Sequence, residues 1–269
     1  MRLSRRLSAL ALAAIVSLGL TSCSGGGITI GIKYDQPGLG LKAGDAYTGL
    51  DADVARYVAK ELGYAEGDIT FMESPSAQRE TLLANGQVEM IVATYSMTDE
   101  RRAKVGFAGP YLVAGQDLLI RADDTSITGP DSLDGKRLCS VSGSTSAKNV
   151  QTKYADTVQL IENPGYSQCV EALVGNAVDA VTTDNTILAG YAAQEAYKGK
   201  LKVVGEPFST ENYGIGLKKG DTEMCNKVKA ALDKLVSSGE WKTLVDKNIG
   251  PSGLELDPAT NPPKNIACS

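Results

Sequence analysis

The sequence predicts an α/β fold in which mainly parallel sheets are covered by helices. Two observations carry that prediction. Short apolar strands alternate with amphipathic helical stretches along most of the chain, and the alternation starts afresh near Arg137. In the first pass, Ile28, Ile30 and Ile32 alternate with smaller or polar residues, as a strand ending near Lys33 and Tyr34 does. Residues 35–47, rich in glycine and including Pro37, read as a loop. Val54, Tyr57, Val58 and Leu62 share one face of a helix over 53–62, and Gly63 stops it. A short strand over 69–72 precedes a helix over 76–84, for which Asn85-Gly86 is the C-terminal stop. Residues 88–94 read as a buried strand, and 98–104 as a polar helical turn leading to Phe107 and Tyr111.

The second pass runs strand 137–141, loop Ser142-Gly143-Ser144-Thr145, helix 147–154, strand 158–161 and helix 167–173. Strand 178–182, helix 186–197 and strand 201–204 complete it. After Phe208 come a strand over 213–217, a long helix over 221–238 and a short helix around Trp241. From Gly250 the chain is rich in proline and glycine without periodicity; it reads as disordered unless Cys268 pins it.

The N-terminus carries an address. Arg2, Arg5 and Arg6 precede an apolar run over 9–20 and then Thr21-Ser22-Cys23, the layout of a secretory signal peptide over 1–22. The run is too short for a helix to cross about 30 Å of hydrocarbon. Leu20-Thr21-Ser22-Cys23 resembles the lipobox of bacterial lipoproteins, which implies lipidation of Cys23 and a flexible linker over 23–27. Removing residues 1–22 from 269 leaves 247, enough for one large domain or two lobes. It also removes three of 27 basic residues and none of 32 acidic ones, so the formal charge falls from −5 to −8. An acidic chain without a basic patch argues against nucleic acid as a partner.

There is no histidine, which excludes Ser-His-Asp and Cys-His catalysis and most zinc sites. No metal and no cofactor is expected. With Cys23 taken by lipid, Cys139, Cys169, Cys225 and Cys268 remain, an even number in a compartment that permits disulfides. No pair has metal-knuckle spacing, and four cysteines leave three pairings open.

Three stretches carry a resemblance. They are Gly49-Leu50-Asp51-Ala52-Asp53-Val54; Leu82-Leu83-Ala84-Asn85-Gly86 followed by Thr98-Asp99-Glu100-Arg101 and Phe107-Ala108-Gly109-Pro110-Tyr111; and Val178-Asp179-Ala180-Val181-Thr182-Thr183-Asp184. In order and spacing they resemble the extracellular solute-binding proteins of family 3, the polar-amino-acid receptors of ABC importers. Ala52 stands where that family has a larger apolar residue. The stretch from Gly31 to Gly40 is similar to glutamate-binding lipoproteins of actinobacteria.

The resemblance implies a two-lobe periplasmic-binding-protein-like fold (type II) with two hinge strands. Lobe 1 would comprise 28–112 and 211–269, with the C-terminal tail, and lobe 2 residues 113–210. With those boundaries Cys139 and Cys169 share lobe 2 while Cys225 and Cys268 share lobe 1, so these two pairings leave the hinge free. The implied protein is a monomeric, non-enzymatic receptor, lipid-anchored on the outer face of the cell membrane. Its implied partners are a permease, an ATPase and L-glutamate, with L-aspartate next. Glutamine binding, a tethered sensor and a dehydratase on the same scaffold are the alternatives.

A free amino acid needs a fixed cation, a fixed anion and donors between them, because burying its charges unpaired is costly. Arg101 matches the family's arginine for the α-carboxylate, which a guanidinium grips with two parallel bonds; the alternative is a solvated charged turn. Thr94 and Ser96 match positions that contact the amino-acid head. Asp184, just past a strand, suits the α-ammonium, or caps the helix that follows. Gly143, Ser144 and Thr145 precede a helix whose N–H groups form an anion site. Lys33 and Arg79 match basic residues that hold the distal carboxylate in acidic-amino-acid binders. Ser76 and Tyr166 are further candidates for that pocket, and Tyr34 either packs on the ligand's aliphatic part or packs ordinarily.

Overall fold

The computed structural model describes residues 26–154 and 156–269; the leader and the lipidation site read at Cys23 lie outside them. In chain order the elements are β1 (Ile28–Ile32), β2 (Asp35–Gln36), β3 (Gly40–Ala43), β4 (Ala46–Thr48), α1 (Leu50–Glu61), β5 (Ile69–Glu73), α2 (Arg79–Ala84), β6 (Met90–Ile91) and α3 (Asp99–Lys104). There follow β7 (Gly106–Ala114), β8 (Gln116–Arg121), β9 (Arg137–Val141), α4 (Thr145–Lys153), β10 (Gln159–Asn163), α5 (Tyr166–Val174), β11 (Ala180–Asp184) and α6 (Asn185–Ala192). The chain ends with β12 (Leu201–Val203), β13 (Glu211–Leu217), α7 (Thr222–Ser237), α8 (Glu240–Asn248) and β14 (Ala267–Cys268).

Two large sheets organise these elements. The first runs β14-β7-β13-β6-β1-β5, with β1 parallel to both neighbours and β13 antiparallel to β6 and β7. The second runs β10-β9-β11-β8-β12, with β9 parallel to both neighbours and β8 antiparallel to β11 and β12. Each parallel core is buried, as sheets with helical crossovers require. Ile28, Ile30 and Ile32 of β1 and Val54, Ala55 and Val58 of α1 share one apolar cluster. Burying each of the larger side chains contributes about 1.5–3 kcal/mol. The chain passes from one sheet to the other twice, and the passages touch: the Gln116 N–H donates to Ser209 Oγ at 3.0 Å and the Phe208 N–H to the Gln116 carbonyl at 2.9 Å.

Several elements differ from the sequence reading. Residues 35–47 are a three-stranded antiparallel sheet, β2-β3-β4, rather than a loop. Its strands are two to four residues long and turn at Gly38 and Gly44, both at positive φ, so no alternating pattern builds up. The strand read over 88–94 is confined to Met90–Ile91, because Thr94 takes a left-handed φ of 47° and turns the chain. The helix read over 186–197 stops at Ala192. Gln116–Arg121, which carries little alternation, is an interior strand of the second sheet, between β11 and β12.

The tail is ordered. Ala267–Cys268 pairs with β7, and the Asn261 side chain imitates a strand by accepting the Val113 N–H at 3.0 Å and donating to its carbonyl at 2.9 Å. Disulfides join Cys139 to Cys169 and Cys225 to Cys268. The second closes a span of 43 residues and ties the tail to α7. Replacing Cys225 and Cys268 together by serine is expected to cost about 2–4 kcal/mol of stability through the freed unfolded chain. Ligand affinity should stay unchanged, since this pair lies away from the cavity described next. Denaturant titration beside calorimetric binding checks both halves of that statement.

Candidate ligand-binding site

Residues just past the C-terminal ends of β6, β9 and β11 converge on one cavity, the place where open α/β sheets put ligands. It is a small gap between the two sheets, partly open to solvent. The first sheet's side contributes Ser76, Arg79, Thr94 and Arg101; the other contributes Ser144, Thr145, Tyr166, Thr183, Asp184 and Ile187.

Arg101 is held from both sides of the cleft. Its guanidinium donates to the Ser96 carbonyl at 3.0 Å and to the Gly143 carbonyl at 3.1 Å, and lies 3.6 Å from Glu80. It is 7% exposed, so it is not a solvated charge on a turn. Local structure sets it there: the Thr98 hydroxyl caps α3 by accepting the Arg101 N–H at 3.3 Å. Ser96 itself serves through its carbonyl, and its backbone bridges to Tyr213.

Arg79 is 2% exposed. Its guanidinium donates one long bond, 3.5 Å, to the Ser74 carbonyl, and among the described residues no carboxylate lies within 4.0 Å of it. Burial first, and the Arg101 cation second, lower its pKa. Lys33, 3% exposed, sits 3.8 Å from the Asp35 carboxylate and 5.9 Å from the centre of the Tyr166 ring. Burial pulls its pKa down to about 8, Arg79 adds to the pull, and Asp35 resists it.

Asp184 ends β11 and is 3% exposed. Its carboxylate caps no N–H of α6. Oδ2 accepts the Tyr213 hydroxyl at 2.6 Å, whereas Oδ1 is buried with no hydrogen-bond partner among the described residues. Burial pushes its pKa up to about 8, helped by Glu211 and opposed by the Tyr213 bond, Arg101 and Arg79.

Ser144 caps α4, its hydroxyl accepting the Ala147 N–H at 2.9 Å, and Thr145 is the first residue of that helix. Gly143 lies against the opposite side of the cleft: a Cβ there would fall 2.7 Å from Ala77 Cα. Tyr34 is not part of the cavity, because its hydroxyl donates to the Phe71 carbonyl at 3.0 Å and its ring packs on Tyr47.

Four groups that matter here are not singled out in the sequence, and for Thr183, Ile187 and Tyr213 no local signature exists. Thr183 and Ile187 line the cavity. Asp51, fully buried, accepts the Thr94 N–H at 2.9 Å and the Tyr111 hydroxyl at 2.6 Å, which holds Thr94 in its turned conformation. Burial raises its pKa to about 6 against those two bonds. Its signal was legible: an acidic residue on the same helical face as Val54, Ala55 and Val58. Tyr213, from the first sheet, reaches Asp184 and Thr186 next to the second.

The two sides also meet at the rim. The Asp35 carboxylate accepts the Ser167 N–H at 3.3 Å, Tyr191 donates to the Asp35 carbonyl, and Lys148 pairs with Glu100. Among the described residues no group of three His, Cys, Asp or Glu side chains is placed to hold a metal ion. Two buried guanidinium groups, one buried carboxylate and several hydroxyls line this small space; Lys33 lies outside the lining and beside Asp35, and Glu80 stands beside Arg101, which leaves Arg79 without a carboxylate among the described residues. That arrangement suits a small molecule carrying more negative than positive charge.

Known proteins similar to this chain bind amino acids of differing charge. The model of the bacterial extracellular solute-binding proteins, family 3, matches residues 28–251. The glutamate-binding protein GluB of Corynebacterium glutamicum is 47% identical over 252 residues, covering 90% of this chain and 84% of its own. The glutamine-binding ABC-transporter protein GlnH of Bacillus subtilis is 34% identical over 224 residues, covering 82% and 81%. Among solved structures, an ancestral arginine-binding protein bound to arginine superposes with a TM-score of 0.78 at 30% identity, covering 84% of this chain and 99% of its own.

Proposed function

The chain belongs to the bacterial extracellular solute-binding proteins, family 3, the amino-acid receptors of ABC importers, and we propose that its ligand is an acidic amino acid, L-glutamate first and L-aspartate next. In this reading Arg101 grips the α-carboxylate and Asp184 Oδ1 takes the α-ammonium. Thr94 and the Ser144–Thr145 end of α4 supply donors to the head group. Arg79 and Lys33 receive the side-chain carboxylate, with Ser76 and Tyr166 beside it.

The single observation behind acidic specificity is Arg79: a guanidinium almost wholly buried with no carboxylate in reach among the described residues. A buried cation without a partner is costly, and a ligand carboxylate removes that cost. The likeness to the glutamate-binding relative supports the same choice. A glutamine amide would leave the charge in place.

Binding proceeds by closure of the two sides over the ligand. Asp184 explains why the ligand must come first. Closing without an ammonium would bury an uncompensated carboxylate, which its pKa of about 8 expresses as a preference for the neutral form. An ammonium at Oδ1 supplies the missing charge, so the closed state gains contacts that the open one lacks. We place this receptor outside the cytoplasm, tethered through lipid on Cys23, on the strength of the leader described above. The permease and ATPase of an ABC importer take up the loaded form.

The test is calorimetry of refolded, ligand-free mature protein against glutamate, aspartate, glutamine and asparagine. Acidic ligands should bind more tightly than their amides. Arg79→Ala should weaken glutamate and aspartate by about 30-fold or more, as loss of one partner of a buried charge pair does. Glutamine should change only a few-fold. Equal losses for acid and amide would remove Arg79 from the distal pocket.

A further inference from the structure

The inference drawn here rests on the acidic-ligand reading and concerns a residue outside the cavity lining. Tyr95 lies between Thr94 and Ser96, does not line the cavity itself, and packs in a small apolar cluster with Leu83, Val105 and Phe107. Phe107 meets it edge-on at 4.8 Å. β13 is shaped to admit it, since a Cβ on Gly216 would fall 2.6 Å from Tyr95 Cε1. Packing accounts for those contacts. It does not account for the cations: the Arg79 and Arg101 guanidinium carbons each lie 4.9 Å from the centre of this one ring.

Two guanidinium groups sharing one ring cannot be further apart than twice that distance, and both are withdrawn from water. They repel, and Arg79 has little else to hold it there. An aromatic face attracts a desolvated cation through its quadrupole and does so without neutralising it. A carboxylate in the same place would hold Arg79 but cancel the charge a ligand needs. The Tyr95 hydroxyl has no hydrogen-bond partner among the described residues, and burial first, with Glu80 second, keeps its proton on, so the ring is the working part.

We propose that Tyr95 is a specificity-determining positioning residue: its ring, shared by both guanidinium groups, keeps the Arg79 cation beside Arg101 and so selects acidic amino acids over their amides. Arg101 has carbonyls and Glu80 to hold it, whereas Arg79 depends on the ring. Loss of the ring therefore acts on the side-chain end of the ligand more than on its head.

The readout is the ratio of glutamate to glutamine affinity by calorimetry. Wild-type protein that prefers glutamine would overturn the acidic-ligand reading itself, before any variant is made. Given the acidic preference, Tyr95→Phe should keep the ratio and Tyr95→Leu should lower it about tenfold or more. Equal losses for both ligands in Tyr95→Leu, or a Tyr95→Phe ratio as low as that of Tyr95→Leu, would overturn the proposal. Because Tyr95→Leu also opens a cavity and can impair folding, a second series keeps the shape. Phenylalanines with increasing fluorine content at position 95 weaken the ring's quadrupole stepwise. The ratio should fall with each step, and a flat ratio would overturn the proposal.

Discussion

Replacing Asp184 by asparagine is expected to lower amino-acid affinity at least about a hundredfold while stabilising the ligand-free protein at alkaline pH. The first effect follows from removing the only buried anion among the described residues that faces the cavity from the second sheet, which leaves an ammonium unpaired. The second follows from linkage. In the folded state burial raises the Asp184 pKa to about 8, with Glu211 adding to the rise; unfolded, an aspartate titrates near about 3.9. Below the lower value both states hold the proton and Asp184 adds no pH dependence. Between the two, the folded state holds a proton that the unfolded state has lost, so stability falls as pH rises, and the loss is complete above about 8.

Asparagine has no such titration and still offers an oxygen to the Tyr213 hydroxyl. The melting temperature of Asp184→Asn should therefore match wild type near pH 4, exceed it increasingly as pH rises towards about 8, and hold a constant lead above that. Scanning calorimetry of both proteins at the two pH values decides the matter. A gap of the same size at both would show that Asp184 is not the group burdened by burial. Undiminished binding would show that it does not meet the ligand. Stability given up for function in this way is what a site that must bury a lone charge requires.

How far all this was legible in the chain depends on the range of the interactions involved. Periodicity is local, so β1, β9, β13, α1 and α7 stand out in the sequence within a residue or three of their observed ends. The β2-β3-β4 sheet did not, because strands of two to four residues between glycine turns never establish a period. The early end of β6 depends on Asp51 capturing the Thr94 N–H from 43 residues away, which no local pattern announces.

The site divides in the same way. Most of the residues singled out by chemistry and by the resemblance surround one cavity in the structure, while Lys33, Ser96, Gly143 and Tyr34 fall outside its lining. Each sits next to a strand end or helix start that can be read locally. Tyr95 and Tyr213 could not be singled out, since a tyrosine at an alternating strand position reads as core whether or not its ring carries cations or its hydroxyl holds a carboxylate. Lys33 and Arg79 are legible as charges but not as buried ones. Their burial comes from residues distant in sequence, Tyr95 beside Arg79 and Tyr166 beside Lys33, a property of the whole fold.

Arg101→Lys is expected to lower affinity about a hundredfold or more for glutamate and glutamine alike. The substitution keeps the charge, so a loss must come from geometry. Arginine presents donors in a rigid fork, and here two of them already go to Ser96 on one side of the cleft and Gly143 on the other. Its Nε lies beside Glu80, so the second hydrogen on each terminal nitrogen is what remains to meet a carboxylate in a fixed plane. Lysine, with three donors on a point charge and a flexible stem, cannot hold both carbonyls and a carboxylate together. The head group is common to every amino acid, so the ratio of glutamate to glutamine affinity should stay near its wild-type value. Arg79→Ala is expected to do the opposite, shifting the ratio while sparing glutamine. Measured side by side, the two variants separate the end of the pocket that recognises an amino acid from the end that chooses which one. A ratio that moved in Arg101→Lys as much as in Arg79→Ala would mean that one arginine cluster reads the whole ligand, and the two-ended pocket would have to be abandoned.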